Sequence, residues 1–330
     1  MMVTVRLRLV LATVTLAVLA ACQTVPETGR SALSLVPRSQ TQAMGAEAFS
    51  DLKDKEGLSE DPRARDRARR VGRRVAGVAQ EATGVPAGEW EIAAFAGDPK
   101  NAFALPGGHI GVYEGILEVA ESDAELATVM SHEVAHVAAR HGGERMSQSL
   151  LVSLGGLALS AALQEEPERT RQLYLAAFGL GAQVGFLLPY SRRHELEADR
   201  IGLIYMARAG YDPRAAVDFW QGMEEAGKGG EVPELLSTHP SHGRRIDRLK
   251  RFMPEALKAY RQTRAKGAGK GGGDLTGGVQ ARGSSPKEGS GDHLPCREVG
   301  RSGARGQGPK LPLVDHKSIA GGQLACKDMG

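Results

Sequence analysis

His132-Glu133-Val134-Ala135-His136 sets two imidazoles four residues apart, with a carboxylate beside the first. On a helix each residue turns the side chain by about 100°, so His132 and His136 share a face, one turn apart. Two nitrogens so placed can meet one Zn²⁺ at about 2.1 Å. Glu133 flanks the same site, where it can take a proton from an activated water and pass it to a leaving amine. The pattern fixes only three positions, and a surface helix with two histidines satisfies it equally, so the chemistry needs a third ligand. The stretch SRRHELEAD, residues 191–199, offers Glu195, Glu197 and Asp199. Glu195 and Asp199 are again i and i+4, whereas Glu197 lies roughly 160° away from Asp199. Glu195 is the expected ligand of a single zinc ion. Asp199 is then placed to accept the second N–H of a ligand histidine and fix its tautomer. The plain alternative is a charged surface helix whose arginines, Arg192 and Arg193, pair with these acids. His109, His141, His194 and His242 are expected to be non-ligands; His141 falls off the face of His136, and His194 points about 100° from Glu195.

The elements that must hold these groups are well punctuated. Ser122 with Glu125 three residues on makes a capping box, and Leu126, Val129, Met130, Val134 and Val137 follow at helical spacing. The histidine pair therefore lies inside a helix, which Gly142-Gly143 is expected to end. Before it, Trp90 to Phe95 reads as a strand. NAFALPGGHIGVYEGIL, residues 101–117, reads as a hairpin turning at Pro106-Gly107-Gly108. Helices are expected from Ala43 to Lys55, from Asp61-Pro62 onward, from Pro189-Tyr190-Ser191 to about Arg208, from Asp212-Pro213 to Gly227, and around Ile246, Leu249 and Phe252. The helix after Pro62 carries Val71, Val75 and Val78 on one stripe and seven arginines elsewhere, a solvated face or a contact for anionic lipid head groups. Residues 149–163 and 173–188 are apolar and each too short to span a bilayer. They are expected to form a helical hairpin that packs on the domain or covers its cleft, with a membrane-dipping hairpin as the rival.

The 330 residues, 41% hydrophobic and 25% charged, suit one sizeable globular domain, and a net charge of +3 gives no case for nucleic acid. Three cysteines make no disulfide framework. Arg6 and Arg8 precede an uncharged apolar run from Leu9 to Ala21, the pattern of a secretory leader, residues 1–21. Its end, Leu19-Ala20-Ala21-Cys22, resembles a bacterial lipobox, which implies acylation of Cys22 and a membrane anchor through it. Gln23, not Asp, follows, so similarity to Gram-negative lipoproteins implies an outer-membrane protein facing the periplasm. Residues 22–40 are then a polar tether, 41–263 the catalytic domain, and 264–330 a Gly-rich tail too poor in apolar residues to fold.

Four motifs in order, the hairpin 101–117, HEVAH, the ExEAD helix and THPSHGRR at 238–245, resemble the gluzincin metallopeptidases of the CAAX prenyl protease, HtpX and BepA type. The resemblance covers about residues 100–250. It implies a mainly helical α+β zincin-like domain with a small β-hairpin sheet beside the histidine helix. It also implies zinc on His132, His136 and Glu195 with Glu133 as general base, in agreement with the spacing argument. The later motif puts His239, Pro240 and Arg245 in register. By similarity, His239 holds the enzyme latent by taking the open metal position, or else donates to the transition state. Arg245 orients the oxyanion or pairs with a carboxylate. An extended substrate would add to the edge of the hairpin sheet, which makes Asn101, Ala102, Phe103, Gly107 and Gly108 the expected substrate-binding residues. The expected function is a zinc endopeptidase acting on misfolded or unassembled envelope polypeptides, with the outer-membrane assembly machinery as partner. A chaperone-like assembly factor with a latent or structural zinc is the alternative. The long spanning helices of some members and the helical-repeat domain of others have no counterpart here.

Overall fold

The structure, a computed structural model, describes residues 22–227, 233–239 and 245–270. The leader at 1–21, Pro240, His242 and the tail beyond 270 lie outside these residues. In chain order the elements are strands β1 (Cys22–Thr24) and β2 (Ser31–Leu33), helices α1 (Arg38–Glu56) and α2 (Pro62–Thr83), and strands β3 (Glu91–Phe95), β4 (Ala102–Leu105) and β5 (His109–Tyr113). Then come α3 (Glu114–Val119), α4 (Asp123–Ala138), α5 (His141–Ala162), α6 (Glu168–Ala182), α7 (Leu188–Arg208), α8 (Ala215–Gly227), α9 (Glu234–Thr238) and α10 (Arg245–Lys270). The fold is α+β and mainly helical.

α4 is the central helix. Ser122 Oγ accepts from the Glu125 N–H at 3.2 Å, and the Glu125 carboxylate accepts from the Ser122 N–H at 3.1 Å. This closes the capping box and removes two orphan donors from the helix start. Leu126, Val129, Met130, Val134 and Ala135 are wholly buried, and so are the residues between them. A helix buried all round must put its polar groups to use, and His132, Glu133 and His136 are its polar cargo. Gly202 on α7 lets the two helices touch: a Cβ there would meet the His132 backbone at 3.0 Å.

The sheet has the order β3-β5-β4, with β5 parallel to β3 and antiparallel to β4. The β4–β5 turn needs Gly107 at φ 99° and Gly108 at φ 91°, backbone that only glycine adopts freely. Ile110 and Val112 point into the main core, while Tyr113 and Phe103 join Phe49 of α1 and Phe95 in a second aromatic cluster. β4 is an edge strand lying against α4, so one row of its main-chain groups faces away from the sheet.

The segment expected to be a tether departs from that expectation. Residues 22–24 and 31–33 pair as a hairpin, with Val25 and Ala32 buried in the core. Arg30 from its loop ion-pairs with Glu144 and Glu197 at 2.8 Å each. A polar sequence looks like linker when its partners lie more than a hundred residues away. Cys22 opens β1, and its expected lipidation lies outside what the structure describes.

Gly142-Gly143 does not end α4. The chain turns at Arg140, whose φ is +57°, and both glycines sit in the first turn of α5. Pro189 likewise opens no separate helix. From Glu168 to Arg208 the chain is helical without a break, passing through a π-turn at Gln183–Leu187. Nor do the apolar stretches fold back on the domain. α6 has no buried residue, and Leu157, Leu173 and Leu180 are 68%, 70% and 67% exposed. By length and composition Glu168–Arg208 would suffice to cross a membrane. Several arginines of α2 are committed internally: Arg67 and Arg70 pair with Asp123, Arg67 donates to the Leu117 and Ala120 carbonyls, and Arg74 stacks on Tyr211.

Candidate metal centre

α4 and α7 bring the expected groups together. His132 Nε2 and His136 Nε2 lie 3.2 Å apart. Glu195 reaches them with Oε2 at 3.3 Å and Oε1 at 3.5 Å. Four-coordinate zinc with bonds near 2.05 Å separates its ligands by about 3.3 Å, close to the spacing of these three side chains, with Glu195 presenting a different oxygen to each histidine. His239, just past α9, completes a group of four whose ligand atoms all lie within 4.8 Å of one another. Its Nδ1 is 3.1 Å from Glu195 Oε1 and its Nε2 is 3.5 Å from Glu133 Oε1. Glu133 is buried, and its Oε1 has no hydrogen-bond partner. Buried polar atoms are rarely left so, and this one faces the space between the histidines and His239. The donor set and its spacing fit zinc.

The outer groups fix the rings. Asp199 Oδ1 stands 3.2 Å from His132 Nδ1, which leaves the Nε2 lone pair for the metal. Burial lowers the basicity of His132, but Asp199 and Glu195 more than offset it and bring the pKa to about 9. A proton therefore holds this position when a metal does not. Burial pushes His136 well below the ordinary histidine value, keeping it neutral, as a ligand must be.

Arg245 lies across both carboxylates, with Nη2 2.9 Å from Glu195 and Nε 3.1 Å from Asp199, and its guanidinium rests 3.9 Å from the centre of the Trp220 ring. It is almost completely buried. Of its two expected roles, pairing with carboxylates is the one visible in these contacts, while Nη1 is buried without a hydrogen-bond partner.

Sequence reasoning missed the support of His136. His141 Nδ1 is 2.9 Å from His136 Nδ1, and its Nε2 is 3.0 Å from Glu197. With His136 Nε2 free for metal, its Nδ1–H donates to His141, whose Nε2–H then donates to Glu197. Glu197 accepts from Arg30 Nε at 2.8 Å and from the Thr28 hydroxyl. Arg30 also grips Glu144, which accepts from His194 at 3.0 Å. His141 and His194 stand outside the group of potential ligands, and they stack with centroids 4.2 Å apart. The one hint in the sequence is that Glu197 must turn away from the Glu195 face.

The expected substrate residues divide. Gly107 lines a cavity beside His136, together with Ala104, Leu105 and Pro106. Ala102 and Gly108 are buried, the Asn101 side chain accepts from the Ala102 N–H, and Phe103 packs over Gly111. These four can therefore offer a substrate little beyond main chain.

A family model described as peptidase family M48 matches residues 65–253, more than half of the chain, with all four potential metal ligands inside it. The chain belongs to peptidase family M48. Metallopeptidases of this family use zinc, and the cluster at His132, His136, Glu195 and His239 is where an M48 chain of this structure would hold it. The mitochondrial metalloendopeptidase OMA1 of Schizosaccharomyces pombe is 39% identical over 169 residues, 51% of this chain and 48% of that protein. Human mitochondrial metalloendopeptidase OMA1 is 36% identical over 48% of this chain and 31% of its own length. A putative beta-barrel assembly-enhancing protease of Vibrio cholerae is 32% identical over 48% of this chain and 34% of its own. This M48 chain thus spans half or less of the length of these curated relatives. The relatives are named metalloendopeptidases and proteases, and the donor set of this M48 chain is of the kind that holds zinc.

The relatives correct the expected localisation. Six are named mitochondrial, at 35–39% identity, against 32–33% for the two bacterial proteases. An outer-membrane lipoprotein facing the periplasm is not supported. A basic and apolar leader ending in small residues and a cysteine is a short pattern with little discriminating power.

Proposed function

We propose that this chain is a zinc-dependent endopeptidase that hydrolyses peptide bonds in misfolded or unassembled polypeptides. The observation that carries the reading is Glu133, a buried carboxylate whose Oε1 accepts no hydrogen bond, beside three converged zinc donors. A closed structural zinc site has no use for such a base. The chemistry a zinc ion supplies at such a site is Lewis acidity, polarising the scissile carbonyl and acidifying a water. Glu133 takes the proton of the attacking water and delivers it to the leaving amine. Asp199 and the His141–Glu197 pair hold the two ligand rings in the tautomers that leave Nε2 free. Arg245 holds Glu195 and Asp199 in place and keeps Asp199 ionised. The free edge of β4 takes the substrate as an added strand through main-chain hydrogen bonds. Binding led by the backbone suits chains that have lost their fold.

His239 supports a second reading, a latent protease or chaperone-like factor. Its ring touches both Glu195 and Glu133, where an entering substrate would have to displace it. The test compares zinc-loaded chain with its His239→Ala variant on an unfolded and a folded form of one protein. The endopeptidase reading expects cutting of the unfolded form alone, abolished by chelator and raised in the variant. No cutting by either zinc-loaded form would favour the chaperone-like factor. A lower rate in the variant would make His239 a donor to the transition state.

A further inference from the structure

Between the β4 edge and His136 lies a cavity of about 180 Å³, several times the roughly 30 Å³ that one water occupies in the liquid. Ala104, Leu105, Pro106 and Gly107 line it from the β4–β5 side, and His136 and Val137 of α4 line it as well. Arg38, Arg140 and Arg145 line it, and no acidic side chain does. Among the described residues none of the three arginines has a carboxylate within ion-pair distance, and Arg140 Nε is buried without a hydrogen-bond partner. Arg38 and Arg140 are partly buried and Arg145 is exposed; elsewhere the partly buried Arg30 and the buried Arg245 find acids. Burial and the charge of Arg140 hold the Arg38 pKa below its ordinary value, so the two cations feel each other across the space.

The first turn of α5 opens onto the same cavity. Gly142 and Gly143 line it, no side chain caps the helix start, and the first N–H groups of a helix lack internal partners. Arg140 holds a left-handed φ of +57°, strained for a residue with a side chain, at the head of this turn. Three unpaired cations and an uncapped helix start therefore surround one empty volume next to a metal ligand. Such a volume is built to receive an anion.

We propose that this cavity is a substrate subsite for an acidic side chain, Asp or Glu, carried by the segment that pairs with β4 and close to the bond that is cut. The proposal rests on the endopeptidase reading for the identity of the occupant, while its anion chemistry stands on the cavity alone. A carboxylate entering between Arg38 and Arg140 gains charge-assisted hydrogen bonds that its amide counterpart lacks. The cavity would thus add a side-chain preference to a backbone-led mode of binding.

The test measures binding apart from cutting. The zinc-loaded full chain carrying Glu133→Gln is titrated with fluorescent alanine-rich peptides in which a single Asp, Asn or Leu is moved along the sequence. The proposal expects one register in which Asp binds about tenfold or more tightly than Asn. Arg38→Gln and Arg140→Gln should each erase that preference while leaving the Leu peptides unchanged. Arg38→Gln is the safer variant, since Arg140 shapes the turn between α4 and α5. Equal binding of Asp, Asn and Leu peptides in every register would overturn the proposal, even if the wild-type chain cuts all of them. Binding of inorganic phosphate with no Asp preference would also overturn it, making the cavity a site for a small free anion. An Asp preference in binding by a chain that cuts nothing would keep the subsite and defeat the endopeptidase reading instead.

Discussion

Asp199 meets His132, Arg245 and Arg248 at once, so α4 and α10 both converge on one carboxylate of α7. Replacing it with Asn removes the fixed acceptor behind His132. The expected outcome is a zinc affinity lower by about 10- to 100-fold, measured by competition with a chromophoric chelator. Unchanged affinity would show that the ring is oriented by packing alone. Arg245→Met should be costlier to the fold, because it takes the guanidinium shared by two buried carboxylates and leaves Asp199 the longer contact with Arg248 alone among the arginines. A loss of about 3–5 kcal/mol in denaturant unfolding of the zinc-free chain is the expected size. Glu144 gives a pH signature. Burial raises its carboxyl, but the His194 hydrogen bond and the Arg30 guanidinium more than offset this and hold it at about 2, below its ordinary 4.5. A carboxylate depressed on folding adds stability above pH ~4.5 and loses it as the pH falls toward ~2. Wild-type chain should therefore exceed Glu144→Gln in stability at neutral pH, with a margin that shrinks across that window. A margin independent of pH would show that the contribution is packing. At this scale the convergence of the candidate ligands was legible because helical spacing alone sets His132 with His136 and Glu195 with Asp199. The Arg30–Glu197–His141 chain was not, since its members come from three remote segments and no local period links them.

Among the elements, α4 and α7 carry the site, and their close approach depends on Gly202. A Cβ there would press on the His132 backbone, which cannot give way without moving a ligand. Gly202→Val should cost about 1–3 kcal/mol and weaken zinc binding along with it; normal zinc binding in a destabilised variant would separate packing from ligand geometry. The capping box of α4 and the β4–β5 turn could be read from sequence because each is a local device of a few residues. The end of α4 could not. Two glycines signal a stop, but the stop falls at Arg140, and the glycines serve the start of α5 instead. The apolar pair α5 and α6 shows the same limit: composition gives a helix, but only tertiary structure says whether its face is covered. With Leu157, Leu173 and Leu180 exposed, the purified chain is expected to self-associate or to require detergent. Changing these three leucines to Gln should relieve both. A chain monomeric without detergent, and unaltered by the substitutions, would contradict the exposure of this surface.

For the molecule as a whole, the N-terminal hairpin is part of the support for the metal centre. Residues that read as a polar tether place Thr28 and Arg30 behind His141, so the functional unit begins near Cys22, ahead of the stretch at 65–253 that carries the family match. The α+β class and the site motifs followed from local patterns, whereas the address of the protein did not, because a leader says little about what the folded domain is related to. The claim on which the rest depends is that the converged histidines and Glu195 serve hydrolysis with Glu133 as the base. The most direct measurement is proteolysis of an unfolded protein by the full chain and by Glu133→Gln, each in a His239→Ala background and each with its zinc content determined. The account predicts one zinc per chain in both proteins and cutting only where Glu133 is intact. Undiminished cutting by the Gln variant, or no cutting by any zinc-loaded form, would contradict it.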